Sequence, residues 1–292
     1  MELWFFYAVI SLISIGLNWY LVKVLTDRKV EGSVFTFLQG MTYLVFGFIH
    51  TYIIGESIAI SYEALYPLFL SISIALIIFI NIRLRVRALK YLSSSEYYIA
   101  YRILLTMSLA FIGTLFLDEI ITNNQLFGLI LWSMGIVFLF EDDGKLRHSR
   151  NWRLAITLLL LSIGAGIGIQ IFGKMQWLSH FSLPALIFYQ WFTMLILAWI
   201  IDRNSLFLHF SSWKQHKANL ILGILATILV YISAICVLYA YKSWGSMSVI
   251  TKITAYSLFI PIILSIVFSG ERVTYKKVIA FILTIVSLYY MG

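Results

Sequence analysis

The 292-residue chain is 61% hydrophobic and only 12% charged, against roughly 45–50% and about 25% in an ordinary soluble domain, which excludes a water-soluble globular fold. A formal net charge of +8 would suggest nucleic acid in a soluble chain, but here the basic residues stand in short loops between apolar stretches, where they set membrane orientation, and no nucleic-acid partner is expected. The single cysteine, Cys236, lies in an apolar stretch, so there is no disulfide framework.

A helix crossing about 30 Å of hydrocarbon takes roughly 20 apolar residues. In chain order such stretches cover 3–22, 33–54, 65–82, 97–117, 125–140, 154–173, 183–201, 218–240, 246–268 and 278–291. The first has no basic lead and no small-residue cleavage site, so it reads as a span that stays. The shorter ones require tilt or local thinning of the bilayer. Lipid offers backbone groups no other partner, and period-2 alternation is absent, so all ten are expected to be helical. The expected fold class is an all-α integral membrane protein of ten transmembrane helices, with the lipid bilayer as its constant partner.

Basic residues alternate between loops. Those after the odd-numbered spans hold 17 of the 21 Lys and Arg: Lys23, Arg28, Lys29; Arg83, Arg85, Arg87, Lys90; Lys145, Arg147, Arg150, Arg153; Arg203, Lys214, Lys217; and Arg272, Lys276, Lys277. The alternate loops hold Lys174 and Lys242, and Arg102 and Lys252 fall inside spans. The positive-inside rule then puts both termini outside, in a multi-pass protein of a bacterial or archaeal inner membrane. A missed or extra span would break the alternation.

The chain also repeats itself. ALKYLSSSEYYIAYRILLTMSLAFIGTLFLDEIIT from Ala88 aligns without gaps on AYKSWGSMSVITKITAYSLFIPIILSIVFSGERVT from Ala240, pairing Lys90 with Lys242, Ser94 with Ser246, Glu119 with Glu271 and Thr122 with Thr274. Nearly the same offset pairs Gln39 with Gln190, Thr42 with Thr193 and Lys23 with Lys174. Polar landmarks carry this comparison, because apolar stretches match by chance. Two five-span repeats are expected, 1–146 and 147–292. Five is odd, so the second enters the membrane in the opposite sense, as in many secondary transporters.

The closing segments of the two halves, ALKYLSSSEYY with FLDEIIT and YAYKSWGSMS with FSGERVT, resemble the drug/metabolite transporter superfamily in its ten-span EamA-type branch. There an A-L-x-Y stretch, a span ending in G-E-R and a final span follow one another. This chain departs in having Asp118-Glu119 where the second half has Gly270-Glu271-Arg272, and in carrying the fourth-span proline only once, as Pro261. Many relatives are drawn with cytoplasmic termini, whereas the charges here put them outside. The resemblance implies a secondary transporter of small organic molecules, with spans 1, 3, 4, 6, 8 and 9 lining a central cavity and 5 and 10 peripheral.

Charges at depth cost roughly 2.5–3.5 kcal/mol on insertion scales, so they usually face a cavity or a partner. Lys252 and Arg102, on corresponding spans, are therefore the leading candidates to attract a substrate carboxylate or phosphate; snorkelling or pairing with Glu96 is the plainer alternative. Neutral polar residues in spans, namely Asn18, Gln39, Gln190, Tyr101, Thr251 and Tyr256, could orient substrate or join helices. The symmetry of Gln39 and Gln190 favours the structural role. Arg83 and Arg87 share a helix face and Arg85 points elsewhere; a stop-transfer cluster is the first reading and a basic funnel for anions the second. Lys23 and Lys174 read as interfacial anchors. Gly164, Gly166 and Gly168 spell GxGxG without a βαβ context, so the expected role is a small-xxx-small face of Gly164 and Gly168.

No Walker motif, metal-ligand spacing or nucleophile–base arrangement stands in the sequence, so neither catalysis nor a cofactor is expected. The reading that follows is a secondary transporter, an exporter or exchanger, moving a small polar metabolite of anionic or zwitterionic type such as an amino acid, as a monomer or homodimer. Span 1 has no deep carboxylate, which disfavours proton-coupled export of lipophilic cations. A flippase for a lipid-linked precursor, its phosphate held by Arg83–Lys90, is the alternative. A membrane-embedded transferase comes last, because the only acidic cluster, Glu141-Asp142-Asp143, is in a loop.

Overall fold

Backbone groups in apolar surroundings must bond within their own segment, and the apolar stretches fold accordingly. The computed structural model describes residues 3–54, 65–92, 94–116, 122–140, 151–178, 183–211, 213–242, 254, 256–270 and 273–291. Among these there are ten α-helices and no strand: α1 Leu3–Asp27, α2 Gly32–Ile54, α3 Leu65–Ala88, α4 Ser94–Phe116, α5 Asn123–Phe140, α6 Trp152–Leu178, α7 Leu183–Ser211, α8 Trp213–Lys242, α9 Phe259–Ser269 and α10 Tyr275–Met291, with a 3₁₀ turn at Tyr256–Leu258 before α9. Four, within α1, α2, α3 and α8, contain segments long and apolar enough to cross a membrane.

Most helices run past their expected spans. α3 continues from 82 through Arg83, Arg85 and Arg87, and α7 from 201 to Ser211. Hydropathy marks the apolar stretch, whereas a helix continues through good helix formers that carry their charge outward on long stems. In the ninth span, 246–268, residues 246–253 and 255 lie outside the described residues; Thr254 is helical, and α9 follows the 3₁₀ turn from Phe259. Pro261 falls in its first turn, where a missing N–H leaves no hydrogen bond broken. Gly270 ends α9 in the left-handed conformation (φ 65°, ψ 26°), its N–H bonded to Ser265 O, a role for which a residue without Cβ is suited.

Packing joins the first five helices to the last five. α1 lies along α8, α2 along α7, α3 along α6 and α5 along α10; further contacts join α3 to α7, α2 to α8, α1 to α9, and α4 to α6 and α9. Exchanging every helix with the one five places along the chain leaves this set of pairs unchanged. α1–α8 becomes α6–α3, α1–α9 becomes α6–α4, α2–α8 becomes α7–α3, and α2–α7, α4–α9 and α5–α10 map onto themselves.

Residue pairs fix the directions. Ser11 meets Ser233 and Asn18 meets Ala226, so α1 and α8 are antiparallel. Gly40 approaches Leu195 and Gly47 approaches Phe188, so α2 and α7 are too. Gly168 lies on Ile77 and Ser162 on Asn81, which opposes α6 to α3. Phe127 meets Tyr290 while Gly135 meets Ala280, which opposes α5 to α10. By contrast α4 runs with α6 (Tyr97 to Ser162, Tyr101 to Gly166), α1 with α9 (Gly16 to Ile260, Tyr20 to Phe268) and α3 with α7, through the Arg83–Asp202 ion pair near the C-terminal end of α3. Successive helices thus alternate in direction, and each opposes the helix five places later. One end of the bundle carries Arg28, Lys29, Arg83, Arg87, Lys90 and Arg203; it is called the basic end below.

Small polar residues are buried within the apolar core, and large apolar residues lie on the outside. Ser11, Thr36, Ser71, Ser162, Thr227, Ser257, Ser265, Thr284 and Ser287 are fully buried, while Phe48, Ile53, Leu160, Leu161, Ile200, Val267 and Phe268 are exposed. Small polar residues permit close helix approach, and a large apolar outer surface suits lipid.

Candidate functional site

The start of α4 supplies the centre of the site. Tyr97, Tyr98, Tyr101 and Arg102 fall at helical spacing, so Tyr97 and Tyr101 share one face and Tyr98 and Arg102 the next. The second pair meets Trp19 of α1. The Tyr98 ring stacks on Trp19 with centroids 4.8 Å apart and planes within 3°, and its hydroxyl donates to Trp19 O at 2.7 Å. The Arg102 guanidinium lies over the Trp19 ring, 4.7 Å from its centroid. Such cation–π contacts are worth about 0.5–1 kcal/mol when exposed and about 2 when desolvated. Arg102 Nη2 also reaches Ser257 Oγ of the 3₁₀ turn at 3.5 Å, the long limit of a hydrogen bond. Stacking engages the guanidinium face; its edge carries the donors that recognise carboxylate or phosphate.

The first pair faces α6 and α3. Ser162 Oγ donates to Asn81 Oδ1 at 2.6 Å, and having one proton it accepts from the Tyr97 hydroxyl at 2.7 Å. Tyr97 packs edge-on against Tyr98 (5.2 Å, 82°) and stacks with Tyr101 (5.7 Å, 17°). Arg85 of α3 is half-buried, with its Nε shielded from solvent. Arg83 and Arg87 instead line a pocket at the basic end. Lys23 is bound by Asp27 at 2.7 Å and by Leu89 O at 3.3 Å.

Of the residues singled out in the sequence, Arg102 and Tyr101 lie in this cluster and Tyr256 adjoins it beside Ser257. Asn18, though next to Trp19 in sequence, turns to α8: Nδ2 donates to Ala226 O at 2.8 Å, and Oδ1 has no hydrogen-bond partner among the described residues. Gln39 and Gln190 are buried on α2 and α7, which pack on each other away from the cluster. Thr251 and Lys252 lie outside the described residues. Trp19, Tyr97, Tyr98, Asn81, Ser162 and Ser257 were not singled out. A tryptophan or tyrosine near a span end ordinarily reads as an interfacial belt residue, and the signal that separates these is the i, i+4 repeat of Tyr97/Tyr101 and Tyr98/Arg102.

The glycine face of α6 needs correction. Gly164 is exposed with open space where a Cβ would stand, whereas a Cβ on Gly166 would fall on the Tyr101 hydroxyl and one on Gly168 would lie 3.2 Å from Ile77 Cδ1. The side of α6 turned to α4 carries Ser162 and Gly166, four residues apart, and Gly164 lies well round the helix from it. Gly164→Ala should therefore leave thermal stability unchanged or raise it, by up to about 1 kcal/mol from helix propensity. Gly166→Ala should lower it by displacing a stacked tyrosine; equal effects of the two would contradict this assignment.

No family model and no curated protein matches the chain. Twenty chains of solved structures do match. One, a crystal structure, superposes with a TM-score of 0.66 over 97% of this chain and 95% of that one, at 14% sequence identity. At that identity the likeness shows a shared fold, and the fold alone.

Proposed function

We propose that the chain is a ten-span secondary transporter of the EamA-type branch of the drug/metabolite transporter superfamily, with both termini outside. In this reading residues 1–146 and 147–292 are inverted five-helix repeats that move a small polar metabolite bearing a carboxylate or phosphate by alternating access. One observation carries the proposal: the principal helix contacts between the halves map onto themselves when the halves are exchanged, and the paired helices α1–α8, α2–α7, α3–α6 and α5–α10 run in opposite directions. Halves so related can rock about an axis in the membrane plane and open a central site to either side. An enzyme or a simple anchor has no comparable need for them.

The placement of Arg102 supports the substrate class. It is eight residues from the start of α4, about 12 Å along the helix axis, and Trp19 is equally far from the end of α1. Both stand about a third of the way along their helices from the basic end of the bundle. A guanidinium there, backed by the Trp19 ring, is suited to an anionic or zwitterionic solute. Lys252 belongs to this proposal through its position on the corresponding span. Purified protein in proteoliposomes should accumulate labelled amino acids or small organic acids by counterflow, and not lipophilic cations. Absence of counterflow for the whole anionic and zwitterionic panel, or flux of cations alone, would overturn the reading.

A further inference from the structure

At the basic end, a pocket of about 280 Å³ opens between the start of α2, the end of α3 and Asp202 of α7. Its walls are Glu31, Gly32, Ser33, Arg83, Val86, Arg87, Lys90 and Asp202, which include three cations and two carboxylates. The carboxylates are engaged: Asp202 by Arg83, and Glu31 by the Ser33 hydroxyl at 3.2 Å. Arg83 is further held over the Phe79 ring at 3.9 Å. Arg87 and Lys90 are exposed, and among the described residues neither has an ion-pair partner. Arg83 and Arg87 stand one helical turn apart and act on each other as like charges, a repulsion that an anion between them would relieve.

The 23-residue helix α2 begins in this wall with Gly32 and Ser33, so first-turn N–H groups without helical acceptors add donors beside the arginines. The cavity is just below the roughly 300–1,000 Å³ of ordinary small-molecule sites. It has room for a phosphate ester but not for a large metabolite. We infer that this pocket binds a phosphate group, through Arg87 and Lys90 with the first turn of α2, as a site separate from the Arg102 cluster. Two sources share that chemistry: a soluble phosphate or phosphate ester, and the headgroup of an anionic lipid in the leaflet at the basic end.

The test uses the full chain in two arms. In detergent, thermal unfolding is followed against inorganic phosphate at constant ionic strength. In nanodiscs, it is followed in phosphatidylcholine alone and with phosphatidylglycerol added. Stabilisation in either arm is expected, and the arm that responds identifies the source. Arg87→Ala with Lys90→Ala removes two exposed side chains from the pocket and should weaken the response at least about tenfold, the usual effect of losing charge-assisted hydrogen bonds. Arg153→Ala, an exposed cation not among the lining residues, should not. No stabilisation in either arm, or a response that the double variant retains in full, would overturn the inference. Neither outcome bears on counterflow, so the two proposals fail separately.

Discussion

Arg102→Ala is expected to reduce counterflow of an anionic or zwitterionic substrate by one to two orders of magnitude while leaving the protein folded. The size follows from the worth of a hydrogen bond to a charged partner, about 1.5–3 kcal/mol, with each 1.4 kcal/mol a factor of ten. The fold should tolerate the change, because Tyr98 keeps its stack on Trp19 and its bond to Trp19 O, while the guanidinium gives up its contacts with Trp19 and Ser257. Arg102→Lys separates charge from shape. A lysine keeps the cation but lacks the planar fork, so an intermediate loss is expected, carried mainly by apparent affinity. Wild-type flux in a normally folded alanine variant would remove Arg102 from the site.

Gly16→Val is expected to destabilise the protein by about 1–3 kcal/mol, the usual cost of forcing extra methylenes into a packed interior. A Cβ at Gly16 would stand 2.7 Å from Ile260 Cβ and Cδ1 and 2.8 Å from Ser257 O. Neither the Ile260 Cβ nor a backbone carbonyl can swing aside, so α1 must separate from α9 and its 3₁₀ turn. That turn carries Ser257, the hydrogen-bond partner of Arg102. The variant should therefore lose transport as well as stability, whereas Gly164→Ala loses neither. Thermal unfolding in detergent reads the first effect and counterflow the second. A variant as stable as wild type would mean that α1 and α9 do not approach so closely.

Why some of this was legible in the sequence and some was not follows from what each signal measures. Hydropathy located the helices because burial in lipid depends on local composition, yet it missed their ends: α3 and α7 continue through arginine and aspartate that hydropathy scores as loop. Arg102 was conspicuous because a charge inside an apolar stretch is costly. Trp19 and Tyr98 were not, because an aromatic residue is at ease at any depth and only its neighbours reveal its role. Asn18 and Trp19 adjoin in sequence but face different helices, which a spacing argument within one helix cannot resolve. Gly164 and Gly168 have the right spacing for close approach, but the choice between them and Gly166 depends on which side of α6 meets α4.

The exchange of partners between halves has a consequence for how the chain comes to be assembled. α1, α2, α3 and α5 each find their principal neighbour among α6 to α10, so the first half has little to hold it together while it is the only part made. α5 is the extreme case: it waits for α10, made after the other nine helices, before the surface formed by Phe127 and Gly135 is covered. Contacts so distant along the chain close large loops and form late. The two halves are thus strands of one braid rather than two bricks: α6, α7 and α8 cover α3, α2 and α1 in turn, and α5 stays uncovered until α10 has been made.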